Sequence, residues 1–260
     1  MEVDGVTVRE LLGDFSHRLP CDRPQPYVLV GEYVHAVKNP FDRSETREPV
    51  SQQFKGKPIV LLKGKHSGKC VIAFNGESLK PERLHEVKAA GIPIIGMNRT
   101  YVGFQGYTGP ECDYLCVVDH EWFLTPEIKS HPGLINGSDH KGDHGYRVTR
   151  HWRMSPFSTD LGRDGYPPVV PCTTGFLALM LAHYLGFSEV YCLGLDMTGG
   201  HFDGSPASRH FERAYGRKSA LHHFNEMLPV MEKTGTKFFV CDSPDSKAPL
   251  PKVPFEAVFA

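Results

Sequence analysis

The chain has 260 residues, of which 40% are hydrophobic and 23% are charged, and its formal net charge is -1. This length is enough to bury the core of one large domain. The nearly neutral charge excludes binding to nucleic acid by bulk attraction, so contact with a polyanion requires a local basic patch. No apolar run reaches the about 18 residues of a membrane span, and the first residues lack the pattern of a secretory leader. We therefore expect a cytoplasmic protein without a membrane span.

The first 68 residues are predicted to form an irregular extension that packs on the core. They contain an amphipathic helical pattern near residues 7–15 and strand-like apolar runs at 27–30 and 59–62. Between residues 38 and 69 there are eight Lys or Arg residues against three acids. A charge run of this kind is commonly a solvated loop, and the alternative is a patch that binds phosphate or nucleic acid.

From residue 69 to residue 260, short apolar runs alternate with helical patterns. The predicted strands are 70–74, 92–97, 114–118, 190–193 and 237–241, and the predicted helices are 81–91, 176–185 and 219–233. Strands that are apolar on both faces and separated by helices indicate a parallel sheet that is covered on both sides. The predicted class is α/β, with a doubly wound, mostly parallel Rossmann-like sheet. Residues 124–171, rich in Gly, Pro, Asp and His, are predicted as a lid-like loop.

The cysteines indicate a reduced protein. The chain has seven of them, and four lie in strand-like runs, where a thiol packs as a small hydrophobe: Cys70, Cys116, Cys192 and Cys241. No CxxC pair occurs, and the pair Cys112 and Cys116 has no second pair with which to bind zinc. We therefore predict structural thiols and no metal site built on cysteine.

Polar residues and glycines follow each predicted strand. In open α/β sheets, ligands bind in the crevice at the carboxyl ends of the strands, so these residues are candidates for a site. Asn75 and Asn98 can donate and accept hydrogen bonds to a sugar or a base, while Gly76 and Gly194 allow close approach of the backbone to a ligand. The start of the helix after Cys172 can hold a phosphate.

These motifs resemble those of a known family. They are Asn75-Gly76-Glu77-Ser78-Leu79 after one strand, Asn98 with Tyr101 after the next, Thr173-Thr174-Gly175 at a helix start, and Gly194-Leu195-Asp196 after the following strand. They resemble the bacterial sialyltransferases that act on lipooligosaccharides, over about residues 70–245. Their order is also similar to that of a wider group containing the archaeal-type 6-hydroxymethylpterin diphosphokinases.

The resemblance to sialyltransferases implies a nucleotide-sugar donor at the sheet edge and no requirement for a metal or other cofactor. The nucleotide-binding residues that it implies are Asn75, Gly76, Ser78, Asn98, Thr173, Thr174, Gly175, Gly194 and Asp196.

The same resemblance implies a histidine base in a Gly-His-Ser sequence before the last core helix. The corresponding stretch here is Tyr215-Gly216-Arg217-Lys218-Ser219, which has no histidine. His201 follows a strand end and is therefore the predicted base. Asp196 and Arg217 complete the predicted catalytic set, with arginines or Tyr215 stabilising the leaving phosphate.

Three arginines recur at four-residue spacing, Arg209, Arg213 and Arg217. On a helix they form one stripe, which is either an exposed face or a phosphate-binding surface. A stripe that faces the crevice favours phosphoryl transfer with Mg²⁺, and the candidate ligands are then Asp119, Asp196 and Asp203.

The sequence therefore predicts a glycosyltransferase that moves a sugar from a CMP- or UDP-type donor to a hydroxyl acceptor, with DNA as one candidate acceptor. One alternative is a magnesium-dependent diphosphokinase of the pterin type. The other is a non-catalytic protein that binds a nucleotide or nucleic acid, with a role in phage DNA modification.

Overall fold

A computed structural model describes most of the predicted core and a few strands before it. The described residues are 2–3, 6–7, 27–30, 33–36, 46–49, 57–98, 112–118, 126–137, 145–150, 169–170, 174–198, 200–202, 221, 224–225 and 228–259. The chain forms two compact units, Met1–Lys55 and Gly56–Ala260.

The first unit contains short antiparallel strands. Strands β1 (Glu2–Val3) and β2 (Val6–Thr7) form one pair, and β3 (Tyr27–Val30), β4 (Tyr33–Ala36) and β5 (Thr46–Pro49) form a three-stranded sheet. The strand predicted at 27–30 is confirmed. Thr7, which we predicted to begin a helix, lies in β2, and residues 8–15 lie outside the described residues.

The second unit is built around a parallel sheet. Its strands are β6 (Lys57–Pro58), β7 (Lys69–Ala73), β8 (Ile94–Met97), β9 (Tyr114–Val117), β10 (Leu134–Asn136), β11 (Tyr146–Arg147), β14 (Glu189–Leu193), β15 (Lys237–Cys241) and β16 (Lys252–Val253). They form nine strands in the order β16-β15-β14-β7-β8-β9-β10-β11-β6, and every neighbouring pair is parallel. Two further short strands, β12 (Thr149–Arg150) and β13 (Val169–Val170), pair separately.

Helices cover both faces of this sheet. They are α1 (Pro81–Ala89), α2 (Pro126–Ser130), α3 (Thr174–Leu185) and α4 (Glu256–Phe259), and residues 228–233 are also helical. In β7, Cys70 and Ile72 belong to the core formed with α3, whereas Val71 and Ala73 belong to the core formed with α1. This alternation follows from the two-residue period of a strand and explains why both faces of the sheet are apolar. The predicted α/β class is confirmed.

One predicted strand is wrong. Residues Ile59–Leu62 form a 3-10 helix, in which Ile59 and Leu62 are buried. Val60 and Leu61 are 38% and 65% exposed, so burial recurs every three residues, as a 3-10 turn requires, and does not alternate as in a half-buried strand.

The second unit begins before residue 69. Strand β6 pairs with β11, with Lys57 opposite Tyr146. The backbone N–H groups of Gly64 and His66 donate to carbonyl oxygens at the end of α3, at 2.9 and 2.8 Å. Residues 57–68 are therefore bound to the parallel sheet and to α3, and the boundary lies at Lys55–Gly56.

Part of the predicted lid-like loop belongs to the sheet. Within 124–171, residues 126–137 and 145–150 include α2, β10 and β11, and all three residues of β10 are buried. These residues extend the sheet instead of forming an irregular loop. Apart from β13, residues 151–171 lie outside the described part of the chain.

The cysteines that the structure describes are free and buried, as predicted. Burial raises the pKa of Cys112 and of Cys241 to about 12, and it also raises the pKa of Cys70, Cys116 and Cys192. These thiols are protonated at neutral pH and pack as small hydrophobes. In the ranges that the structure describes, no helix has the length and apolar character of a membrane span.

Three helices end in the same glycine motif. Gly91 after α1, Gly186 after α3 and Gly235 after residues 228–233 have φ angles of 70°, 98° and 86°. Each glycine N–H donates to the carbonyl three residues back, and the next N–H donates to the carbonyl five residues back. This is the Schellman arrangement, which uses the left-handed conformation that glycine adopts without strain. The predicted end of the helix at Gly186 is confirmed.

The three glycines differ in their surroundings, and the difference predicts different costs of substitution. A Cβ at Gly186 would lie 2.6 Å from the carbonyl oxygen of His66, whereas at Gly91 and Gly235 it would meet nothing within 4 Å. Gly91→Ala and Gly235→Ala should each lower the free energy of unfolding by about 1–2 kcal/mol, the strain of a left-handed residue. Gly186→Ala should cost about 1–3 kcal/mol more, because a backbone carbonyl must also move. Urea denaturation of the three variants measures these differences, and equal losses would contradict the role given to the His66 carbonyl.

Candidate functional site

The predicted site residues follow neighbouring strands of the parallel sheet. Strands β15, β14, β7 and β8 are adjacent in that order, so their carboxyl ends meet at one edge of the sheet. Residues 75–78 follow β7, Asn98 follows β8, and residues 194–196 follow β14. This is the edge at which ligands bind in open α/β sheets.

The carboxylate of Asp196 joins the ends of three strands. Its Oδ2 accepts the backbone N–H of Ser78 at 2.7 Å, and its Oδ1 accepts the hydroxyl groups of Ser243, at 2.5 Å, and of Ser78. Asp196 is only 6% exposed, and a buried carboxylate requires donors of this kind. Because Ser78 follows β7 and Ser243 follows β15, the carboxylate connects the loops on both sides of β14.

These contacts change the roles predicted for Asp196 and Ser78. The Asp196 carboxylate is buried and already accepts three hydrogen bonds from the protein, which argues against direct catalytic, nucleotide-binding or metal-binding roles. Ser78 directs both its N–H and its hydroxyl to Asp196, so neither donor is directed to a nucleotide.

Gly76 and Gly194 allow the ends of β7 and β14 to approach each other. The N–H of Gly76 donates to the carbonyl oxygen of Gly194 at 2.9 Å. A Cβ at Gly76 would lie 2.3 Å from that oxygen and 2.5 Å from Oδ2 of Asp196, and a Cβ at Gly194 would lie 2.8 Å from the Phe74 carbonyl oxygen. Gly194 also has a φ of 69°. The close approach that we predicted for a ligand is therefore made between two strand ends.

Asn98 and Thr174 form a second polar pair at this edge. The side-chain amide of Asn98 donates to the hydroxyl oxygen of Thr174 at 3.1 Å. Both residues are nearly buried, with 9% and 8% exposed, and Asn98 has a φ of 33°, a conformation that asparagine tolerates better than most residues. The pair joins the end of β8 to the first residue of α3. At Gly175, the absence of a side chain leaves room for the ring of Phe74, which would lie 3.0 Å from a Cβ.

A backbone carbonyl lies against the ring of His201. Its Nδ1 lies 3.2 Å from the carbonyl oxygen of Asn75, which also accepts the N–H of Phe202 at 3.1 Å. Because a carbonyl oxygen only accepts, Nδ1 carries the proton and Nε2 of the neutral ring keeps its lone pair. Nε2 is buried and has no hydrogen-bond partner in the part of the chain that the structure describes.

Several predicted site residues lie outside the described residues. They are Thr173, the arginine stripe Arg209, Arg213 and Arg217, and the candidate magnesium ligands Asp119 and Asp203. Their roles stay predictions. Among the described side chains, no group of three or more His, Cys, Asp or Glu residues is placed to hold a metal ion.

Sequence reasoning missed Ser243 and Ser246. Ser246 donates its hydroxyl to the carbonyl oxygen of Leu195, and the N–H of Lys247 donates to the carbonyl oxygen of Asp196 at 2.9 Å. The polar segment after β15 is recognisable in the sequence. Which of its serines turn toward Asp196 and Leu195 depends on the backbone, which turns at Asp242 with a φ of 58°. Consecutive polar residues carry no signal of such a turn.

Comparisons with protein-family models, with curated proteins and with solved structures find no match to this chain. The resemblance to sialyltransferases therefore stays a prediction from short motifs.

The close contact of the two strand ends predicts a large effect of one methyl group. Gly76→Ala should lower the free energy of unfolding by about 1–3 kcal/mol, because its Cβ overlaps a backbone carbonyl and a buried carboxylate. Gly175→Ala is the matched control, since its Cβ meets the ring of Phe74, a side chain that can shift. The helix propensity of alanine, which is better than that of glycine by about 1 kcal/mol, should offset most of the cost of that contact. Urea denaturation compares the two, and a smaller loss for Gly76→Ala than for Gly175→Ala would contradict the packing.

Proposed function

We propose that the second unit is a glycosyltransferase that moves a sugar from a nucleotide donor to a hydroxyl group. The observation that carries the proposal is the orientation of His201, whose Nδ1 is directed to the Asn75 carbonyl and whose buried Nε2 has no hydrogen-bond partner among the described residues. A base of this kind, at the carboxyl edge of a parallel sheet, is suited to deprotonating a hydroxyl acceptor.

The pair of Asn98 and Thr174 supports a nucleotide at the same edge. The Thr174 oxygen accepts from Asn98, so the Thr174 hydroxyl can donate its hydrogen to a ribose or phosphate oxygen. Thr174 begins α3, a helix of 12 residues, and the N–H groups of its first turn favour an anion. The preference for a CMP- or UDP-type donor comes from the resemblance to sialyltransferases, and DNA stays one candidate acceptor.

The proposed reaction is a single displacement. Nε2 of His201 takes the proton of the acceptor hydroxyl, and the acceptor oxygen attacks the anomeric carbon of the donor sugar. The bond from that carbon to the phosphate oxygen breaks, and its electron pair leaves with the nucleotide. The negative charge on the leaving phosphate is stabilised by the first turn of α3, with Arg217 as the predicted side-chain partner.

Binding is tested by thermal shift with CMP, UMP, ADP and ATP, each with and without Mg²⁺. We expect a pyrimidine nucleotide to raise the Tm without Mg²⁺, because a ligand at 100 times its Kd adds about 2.7 kcal/mol of apparent stability. Incubation with CMP- and UDP-sugars should then release free nucleotide. Stabilisation by ATP alone, with strict dependence on Mg²⁺ and release of AMP, would identify the diphosphokinase alternative. Binding without turnover of any donor would favour the non-catalytic one.

The role of His201 is tested by substitution. His201→Ala should lower kcat for sugar transfer by about 10²–10⁴-fold, the usual contribution of general base catalysis. The thermal shift with nucleotide should be unchanged, because the donor is held by other residues. His85→Ala is the matched control, since His85 is exposed on α1. Wild-type kcat in His201→Ala would exclude His201 as the base.

A further inference from the structure

We propose that Asp196 is a positioning residue that keeps His201 in its Nδ1–H tautomer through the turn at residues 75–78. The residue does not touch the reacting atoms in this role. The consequence for catalysis rests on the proposed function, whereas the effect on the tautomer does not.

Asp196 binds Ser78 through two hydrogen bonds. The carboxylate accepts both donors of Ser78, and this double contact fixes the position and the orientation of that residue. Ser243 is bound to the same carboxylate from the other side, and Lys247 donates its N–H to the Asp196 carbonyl oxygen. Asp196 is thus held by the loop after β15 while it holds the turn after β7.

The turn at residues 75–78 is held at both of its ends. The N–H of Phe74 donates to the carbonyl oxygen of Leu193 at 2.8 Å, and the N–H of Gly76 donates to that of Gly194 at 2.9 Å. Asn75 lies between these two hydrogen bonds, which hold the start of the turn, and the direction of its carbonyl depends also on how the far end of the turn is held. On the far side, Leu79 donates its N–H to the Gly76 carbonyl oxygen at 3.1 Å, and Ser78 is anchored on Asp196.

The turn in turn holds His201. The Asn75 carbonyl accepts Nδ1–H of His201 and the N–H of Phe202, which fixes the ring and the backbone that carries it. If the turn moves, both contacts lengthen, and the ring loses the acceptor that decides between its two tautomers. Nε2 would then carry the proton in part of the molecules, and in those it could not act as a base.

The tautomer is measured directly by NMR of the protein labelled with ¹⁵N-histidine. The two ring nitrogens of a neutral histidine give different chemical shifts for the protonated and the unprotonated site, and the His201 signals are assigned by their loss in His201→Gln. We expect the Nδ1–H form in the wild-type protein. A wild-type signal of the Nε2–H form would overturn the proposal.

Three variants test the role of Asp196. Asp196→Ala removes the acceptor, and we expect His201 to change to a mixture of both tautomers. Asp196→Asn should keep the Nδ1–H form, because its amide oxygen can accept the Ser78 N–H while its NH₂ donates to the two serine oxygens. Asp245→Ala is the matched control, an exposed carboxylate in the same loop, and should leave the signals unchanged. A folded Asp196→Ala protein with His201 still in the Nδ1–H form would overturn the proposal.

Ser78→Ala keeps the test decisive if Asp196→Ala does not fold. It removes one hydroxyl donor. The carboxylate keeps the backbone N–H of residue 78 and the hydroxyl of Ser243 as donors. We expect a smaller change toward the mixed tautomers, and Ser78→Thr, which retains the hydroxyl, should restore the wild-type signals. An unchanged tautomer in Ser78→Ala would then overturn the proposal.

Kinetics separate the positioning role of Asp196 from the proposed function. With sugar transfer established, Asp196→Ala should lower kcat by roughly tenfold with little change in KM, the pattern of a group that acts only on the chemical step. If no transfer is found but the tautomer changes as expected, the positioning role stands and the proposed function fails. If transfer is found and the tautomer is unaffected, the proposed function stands and the positioning role fails.

Discussion

The buried carboxylate of Asp196 is the constraint on which the sheet edge depends. A charge that is only 6% exposed is stable when it has several donors, and here they come from the loops after β7 and β15. Losing any of them leaves the charge partly unpaired, so the carboxylate holds both loops more firmly than neutral contacts would. The ends of three neighbouring strands are thus connected through one carboxylate, and the candidate site adjoins these strand ends.

The glycines follow from the same constraint. The hydrogen bond between Gly76 and Gly194 brings two strand ends so close that a Cβ on either residue would overlap a backbone carbonyl. This proximity places the Ser78 N–H within reach of the carboxylate and directs the Asn75 carbonyl toward His201. Glycines at a strand end can therefore allow two parts of the backbone to pack closely, even where the sequence resembles a ligand-binding loop.

The sequence predicted the strands of the central sheet well because these strands are apolar on both faces. The strand predicted at 70–74 is Lys69–Ala73, and the one predicted at 237–241 is confirmed at both ends. Strands of two or three residues, such as Leu134–Asn136, are too short to show a period, so the sheet extends into a region predicted as a loop. The four apolar residues at 59–62 fit a strand or a turn equally, and only the burial of the first and fourth distinguishes them.

The candidate site was predictable to the level of the segment, and less to the level of the residue. The sheet edge, Asn98, Thr174 and His201 follow from strand ends and a helix start, which a sequence pattern can locate. The partners of Asp196 could not be predicted, since they depend on which of several consecutive polar residues turns inward. Ser243 does so beside Asp242, whose left-handed φ of 58° is a feature of the folded chain.

In the proposed reaction, the Asp196 carboxylate and the proposed base His201 lie at one sheet edge and have separate tasks. In many histidine bases a carboxylate accepts the Nδ1 proton and stabilises the imidazolium that forms. Here the nearby carboxylate is committed to Ser78 and Ser243, and a backbone carbonyl takes its place on Nδ1. A carbonyl dipole offers less stabilisation of the imidazolium than a full charge, so its main effect is orientation. In the proposed positioning role, the rigidity of that carbonyl matters as much as its presence, and Asp196 supports it through Ser78.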